Sequence, residues 1–197
     1  MHVKPPMKSL LSIICLLLFA VFFEAGAQST AINHDPHSKF KQAQEYFLNE
    51  QYSLAIPVLL EVKQSIQSTT IVNNAIQVEE VDFYILACRL QQNDERALSP
   101  SIDYIRYAFN QPRTQQLSFH LGNYYFRKQQ FADALEYFEK AEIGSLSNEQ
   151  IAENKFRMAY SYFHLKRFTQ AKPLFNTIRQ LPMDPHYLDA NYYYGFL

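Results

Sequence analysis

The sequence predicts an all-α protein, a right-handed solenoid of antiparallel helix pairs, on three observations. One short pattern is written four times, with a partial fifth copy: a small residue, an aromatic three later, another aromatic six after that, a second small residue, and a bulky one four further. Small residues let two helices approach closely, and the large ones fill the space between them. Gly occurs only 4 times in 197 residues while straight-chain polar residues abound, which favours helix over turn-rich β structure. Helix-start signals also recur, at Asp35–Pro36, at Ser147 with Gln150, and at Asp184–Pro185.

Residues 1–27 read as a secretory signal. His2, Lys4 and Lys8 supply the positive end, and Leu10 to Phe23 is an apolar run too short to span a membrane. Ala25–Gly26–Ala27 is a small-x-small cleavage site, so the mature chain is expected to begin at Gln28. Cys15 is preceded by Ile14 where a lipoprotein signal needs a small residue, which argues against lipidation. Residues 28–34 form a polar leader. Export leaves Cys88 as the single cysteine, so the fold must stand on packing without an internal disulfide.

The first unit, about 35–66, begins at the Asp35 cap and places Phe40, Ala43, Tyr46 and Phe47 on one helix face. Gln67–Ser68–Thr69–Thr70 reads as a loop. The second unit, about 72–111, has Phe83, Leu86, Ala87 and Leu90 in its first helix. Arg96 and Ser99 then stand where an aromatic and an alanine belong, so its second helix should pack more loosely or at a shifted register. Asn93, or Ser99 before Pro100, is the expected cap there. The third unit, about 113–144, carries Gly122, Tyr125, Phe131, Ala134, Phe138 and Ala141; the fourth, about 148–182, carries Ala159, Tyr162, Phe168, Ala171, Phe175 and Ile178. A partial unit at 185–197 follows Asp184–Pro185. Taking Ala43, Ala87, Gly122, Ala159 and Gly195 as a ruler, the intervals are 44, 35, 37 and 36 residues. Pro57 and Pro173 are read as first-turn prolines, where a missing N–H costs little.

On these residues the chain resembles the tetratricopeptide repeat (TPR) family over nearly all of Asp35 to Leu197. The intervals lie around the period of roughly 34 residues expected of such repeats. The family's tryptophan is absent from every unit; Lys39, Ser118, Lys155 and Asn191 occupy its place. The resemblance implies a solenoid whose first helices line a concave groove.

One pattern exceeds what a helical hairpin requires. Phe40, Tyr84, Phe119, Phe156 and Tyr192 recur three residues before the small residue, and Phe47, Phe126 and Phe163 four after it, with Gln91 interrupting. These rings either pack between adjacent first helices or form a ladder that grips a peptide or an apolar tail. On the second reading the partner-binding surface is Phe119, Phe126, Phe156 and Phe163, with Asn123, Arg127, Tyr160 and His164, and Arg157 beside them.

Other chemistries find no support. Lys and Arg number 18 against 19 Asp and Glu, so no overall field attracts nucleic acid. No glycine-rich loop cradles a phosphate, and no cofactor is expected. His34 and His37 sit beside Pro36 while His120, His164 and His186 fall in different units, so no metal site is expected. Ser101 and Ser161 lack the strained turn of a serine hydrolase. Glu79, Glu80 and Asp82 read as a solvated face at a helix start. The expected function is a non-catalytic protein–protein interaction scaffold, exported to the periplasm or the inner face of the outer membrane of a Gram-negative bacterium, with membrane association at most peripheral. The alternative is a sensing or docking segment of a longer membrane-bound signalling protein. The C-terminal edge, with Tyr192, Tyr193, Tyr194, Phe196 and Leu197, suggests an N-terminal piece of a longer array, or self-association.

Overall fold

A computed structural model describes residues 35–68 and 77–197. The predicted signal and leader, and the loop residues Thr69 and Thr70, lie outside the described residues. Nine α-helices and two short 3-10 segments account for the regular structure, with no strand among the described residues. Helices α1 (Pro36–Leu48) and α2 (Tyr52–Ser68) form the first pair, α3 (Val78–Gln91) and α4 (Leu98–Tyr107) the second, α5 (Gln111–Arg127) and α6 (Phe131–Lys140) the third, and α7 (Asn148–His164) and α8 (Phe168–Ile178) the fourth; α9 (Tyr187–Tyr194) follows alone. Each helix packs on its neighbours in sequence, and α1, α3, α5 and α7 also touch in succession. This is the architecture of a TPR-like helical solenoid.

The small residues sit where helices meet. Ala43, Ala55, Ala134, Ala159 and Ala171 are all fully buried. Leu59, Phe138 and Phe175, the bulky residues four further along each second helix, are buried too, and each contributes roughly 1.5–3 kcal/mol. The buried side chains form three clusters. A large one runs from Phe40 to Tyr137 through α1 to α4 and one face of α5. A small one joins Phe119, Ala134, Phe138 and Ala141, and another joins Ala159, Ala171, Phe175, Ile178 and Ala190.

Each first helix ends in the same way, through a feature the sequence does not advertise. Glu50, Asn93, Gln129 and Lys166 have φ of 58–59°. Their N–H groups, and those of the residues after them, bond back to carbonyls of the last turn: Glu50 N to Phe47 O at 3.0 Å and Gln51 N to Tyr46 O at 2.8 Å, with equivalent pairs at the other three. This is a Schellman motif built without glycine. It reverses the chain so that Tyr52, Phe131 and Phe168 open the second helices.

Several expectations about individual elements are corrected. In the second pair the left-handed residue is Asn93, which places Leu86 rather than Ala87 in register with Gly122. The ladder positions there are therefore Phe83 and Leu90, not Tyr84 and Gln91, and the ladder is apolar throughout. Fully buried Val81 and Cys88 match Leu117 and Tyr124 on this register. The phase was hidden because α3 is central and buried on nearly every side, from Phe83 to Cys88 without a break. The fully buried small residue there is Ala97, which ends the 3-10 segment just before α4, two residues before Ser99. Asp94, and neither Asn93 nor Ser99, caps the 3-10 segment Glu95–Ala97, accepting from Arg96 N at 3.1 Å.

Pro57 and Pro173 are each the sixth residue of their helix, past the first turn. Both are exposed, and so are Ser53 and Thr169, whose carbonyls lose the N–H donor that stands four residues further on. Asp184 makes a local turn, accepting from His186 N at 2.8 Å, and α9 begins three residues later at Tyr187. Gln67 and Ser68, expected in a loop, complete α2. The Asp35 cap and the Ser147–Gln150 capping box form as expected.

Glu79, Glu80 and Asp82 are not a solvated face. Glu79 accepts from Asn110 N at 2.9 Å, Glu80 accepts from Arg113 Nε at 2.9 Å, and Asp82 pairs with Lys63 at 2.5 Å. Together they tie α3 to α2 and to the start of α5.

Candidate functional site

The first helices of the third and fourth pairs, with α9, enclose an open groove of about 710 Å³. Its rings stand on one face of α7 at i, i+4 and i+8: Phe156, Tyr160 and His164. The Tyr160 ring lies 5.4 Å from Phe126 on α5, 5.2 Å from Tyr193 on α9 and 4.3 Å from His164. His164 stacks on Phe131 at 4.8 Å, and His186 stacks on Phe156 at 4.3 Å with the rings nearly parallel. Burial, helped by the hydroxyl of Tyr160 beside it, pushes the Tyr193 phenol up to about 12.

Two guanidinium groups supply the positive charge. Arg157 lies over the Phe126 ring at 5.1 Å and pairs with Glu153, which also takes a 2.7 Å hydrogen bond from His186 Nε2. Burial lowers its pKa even so. Arg127 is held by neutral acceptors of the second pair: Nε donates to Asn93 Oδ1 at 3.0 Å, Nη1 to Gln91 Oε1 at 3.3 Å, and Nη2 to Leu90 O at 2.7 Å. It thereby closes the C-terminal end of α3, where a cation is favoured by the helix dipole. Burial lowers its pKa first, and the charge of Arg157 second. Gln91 continues the chain inward, its Nε2 2.9 Å from His120 Nδ1.

Of the eight residues expected to form the binding surface, five line the groove: Phe126, Arg127, Phe156, Tyr160 and His164. Phe119 and Asn123 do not, being buried at 4 % exposure each among α5 and its neighbours. Phe163 is turned behind the groove, against Phe168 and Tyr193. Arg157, named beside the surface, lines it. Sequence reasoning missed Gln129, Phe131, Asp189 and Tyr193. Tyr193 was readable, since it stands two residues before Gly195 just as Arg157 stands two before Ala159. The spacing alone assigns Phe131 to the hairpin interior. Among the described residues no three His, Cys, Asp or Glu side chains gather as a metal would require, and no helix is long and apolar enough to cross a membrane.

Repeated hairpins around a groove of rings define the class: a helical-repeat protein that presents a surface. The family profile described as tetratricopeptide repeat matches residues 116–142, which span most of α5, all of α6 and the turn between them. That stretch is a tetratricopeptide repeat, and the helical pairs before and after it share its architecture, which supports a protein–protein interaction scaffold in general. No curated protein and no solved structure matches it.

Proposed function

We propose that the chain is a non-catalytic scaffold of the bacterial cell envelope that holds a peptide segment of a partner protein in the groove between α5, α7 and α9. The observation that carries this reading is the groove itself, with Phe126, Phe131, Phe156, Tyr160 and Tyr193 around one opening and two arginines at its wall. Such a surface suits apolar or aromatic side chains, with the guanidinium N–H groups available to carbonyl or carboxylate oxygens. The envelope setting rests on the sequence of residues 1–27.

Panning a random peptide display library against the chain should enrich peptides containing apolar or aromatic residues. Tyr160→Ala should weaken the enriched peptides about tenfold or more, the scale of a central aromatic anchor, with little change in melting temperature. Equal binding to Tyr160→Ala would place the contact elsewhere and sink the reading. The export proposal is checked separately by terminal sequencing of the protein from a Gram-negative envelope fraction. The expected first residue is Gln28; an intact Met1 or a lipid-modified Cys15 overturns it.

A further inference from the structure

Gln91 of α3 stands between two residues of the next first helix. His120 and Arg127 lie seven apart on α5, two turns along the face that meets α3. With Leu86, Gly122, Ala159 and Gly195 in register, Gln91, Arg127 and His164 are equivalent, each five residues after its register residue. His120, Arg157 and Tyr193 are equivalent too, each two before. From α5 to α9 these two positions line the groove. Between α3 and α5 they are bonded to each other instead, Gln91 Nε2 to His120 Nδ1 at 2.9 Å, and His120 is only 5 % exposed.

The chemistry of the donors fixes which way the amide points. A guanidinium has only N–H donors, so the atom 3.3 Å from Arg127 Nη1 is the Gln91 oxygen, and the amide NH2 is turned to His120. An NH2 group donates, so Nδ1 of His120 must be bare, and the proton of the neutral ring sits on Nε2. Burial first, and the charge of Arg127 second, keep the ring neutral at pH 7, its pKa lowered to about 4. With a proton on Nδ1 the ring would meet the amide donor to donor. The amide could then satisfy it only by turning its oxygen away from Arg127.

We propose that His120 is a positioning residue for the groove: with its proton on Nε2 it fixes the Gln91 amide, and the amide holds the Arg127 guanidinium at the groove wall. Phe47, Phe83 and Phe119 hold the imidazole by shape, which leaves Nδ1 to act on the amide. A residue with no access to the groove thereby sets where one of its two arginines stands. The inference needs no ligand, so it stands or falls apart from the peptide reading.

Proton–nitrogen correlation spectra of the histidine rings, recorded on the full chain at pH 7, read the tautomer directly. His120 should show one form, bare at Nδ1 and protonated at Nε2. Gln91→Glu puts a carboxylate between the two partners, with one oxygen for Arg127 and one for the ring, so His120 should then carry a proton on Nδ1. Hydrogen exchange at the Arg127 Nε–H reports the guanidinium. It should quicken about tenfold in His120→Phe, the scale of a lost hydrogen bond to a charged group. That variant keeps a ring in the aromatic pocket but gives the amide no acceptor. In Gln91→Glu the exchange should be as slow as in the parent or slower. A proton on Nδ1 in the parent, a tautomer unmoved by Gln91→Glu, or unchanged Arg127 exchange in folded His120→Phe overturns the proposal. Should His120→Phe fail to fold, the tautomers of the parent and of Gln91→Glu still decide it.

Discussion

Acidification from pH 7 to pH 4 is expected to remove on the order of 3 kcal/mol of folding stability through one residue, His120. Its side chain is buried between Phe47, Phe83 and Phe119, with ring centroids 5.8, 6.3 and 5.6 Å away, and its Nδ1 meets Gln91. Burial first, and the positive charge of Arg127 second, lower its pKa from 6.5 to about 4. The folded state therefore favours neutral imidazole, whereas the unfolded chain takes up a proton near pH 6.5. Stability from this residue is complete above pH 6.5. It falls by about 1.4 kcal/mol per pH unit as the pH drops toward 4, where the folded state begins to bind the proton as well. Urea denaturation at pH 7, 5.5 and 4 measures it. The parent should lose stability faster than His120→Gln across that window, and parallel losses would show that the imidazole is solvated when folded.

The second large effect is expected at Gly122. Its missing side chain leaves room for the Phe138 ring, which is 1 % exposed and has little freedom to move. Gly122→Ala forces the ring or the whole of α6 outward, at a cost of about 1–3 kcal/mol. Ala134→Leu attacks the same contact from the other helix, since Ala134 is fully buried, and a loss of similar size is expected. The first pair supplies the rescue: Ala43 stands there with Leu59 at the same offset, and both are fully buried. Adding Phe138→Leu to Gly122→Ala should therefore recover part of the loss, which a double-mutant cycle on thermal melts would record. Additive destabilisation would show that ring and glycine are not in contact.

Where the physical signal was local and one-sided, the sequence was legible. The Asp35 cap and the Ser147–Gln150 box depend on residues a few positions apart, and the Gly122–Phe138 contact on one short hairpin; all were read correctly. The second pair was misread by one residue because α3 is apolar on nearly every side, so periodicity could not separate Leu86 from Ala87. The prolines were misplaced because tolerance of Pro57 and Pro173 depends on exposure of the face they occupy, which is a tertiary property. Five of the eight candidate surface residues line the groove, since the i, i+4 spacing of helix α7 carries Phe156, Tyr160 and His164 together. Phe119 and Asn123 were lost to the same ambiguity that allows a ring on a first helix to be covered by its partner or left open. The left-handed turns at Glu50, Gln129 and Lys166 were invisible, because none of these residue types favours that conformation; Asn93 alone is of a type that does.

The division of the interior into one large cluster and two small ones has a consequence for motion. Interiors of unequal size open at unequal free-energy cost, and repeat arrays come apart at the weaker neighbour contact. The large cluster holds α1 to α4 and one face of α5 as a single cooperative block, while α7, α8 and α9 rest on a much smaller one. The groove straddles that seam: Phe126 and Arg127 belong to the helix anchored in the block, and Phe156, Tyr160 and Tyr193 to the part that opens first. Any ligand bridging the two sides would therefore act as a weld, converting two stability units into one, and part of its binding free energy would be spent on ordering the C-terminal helices.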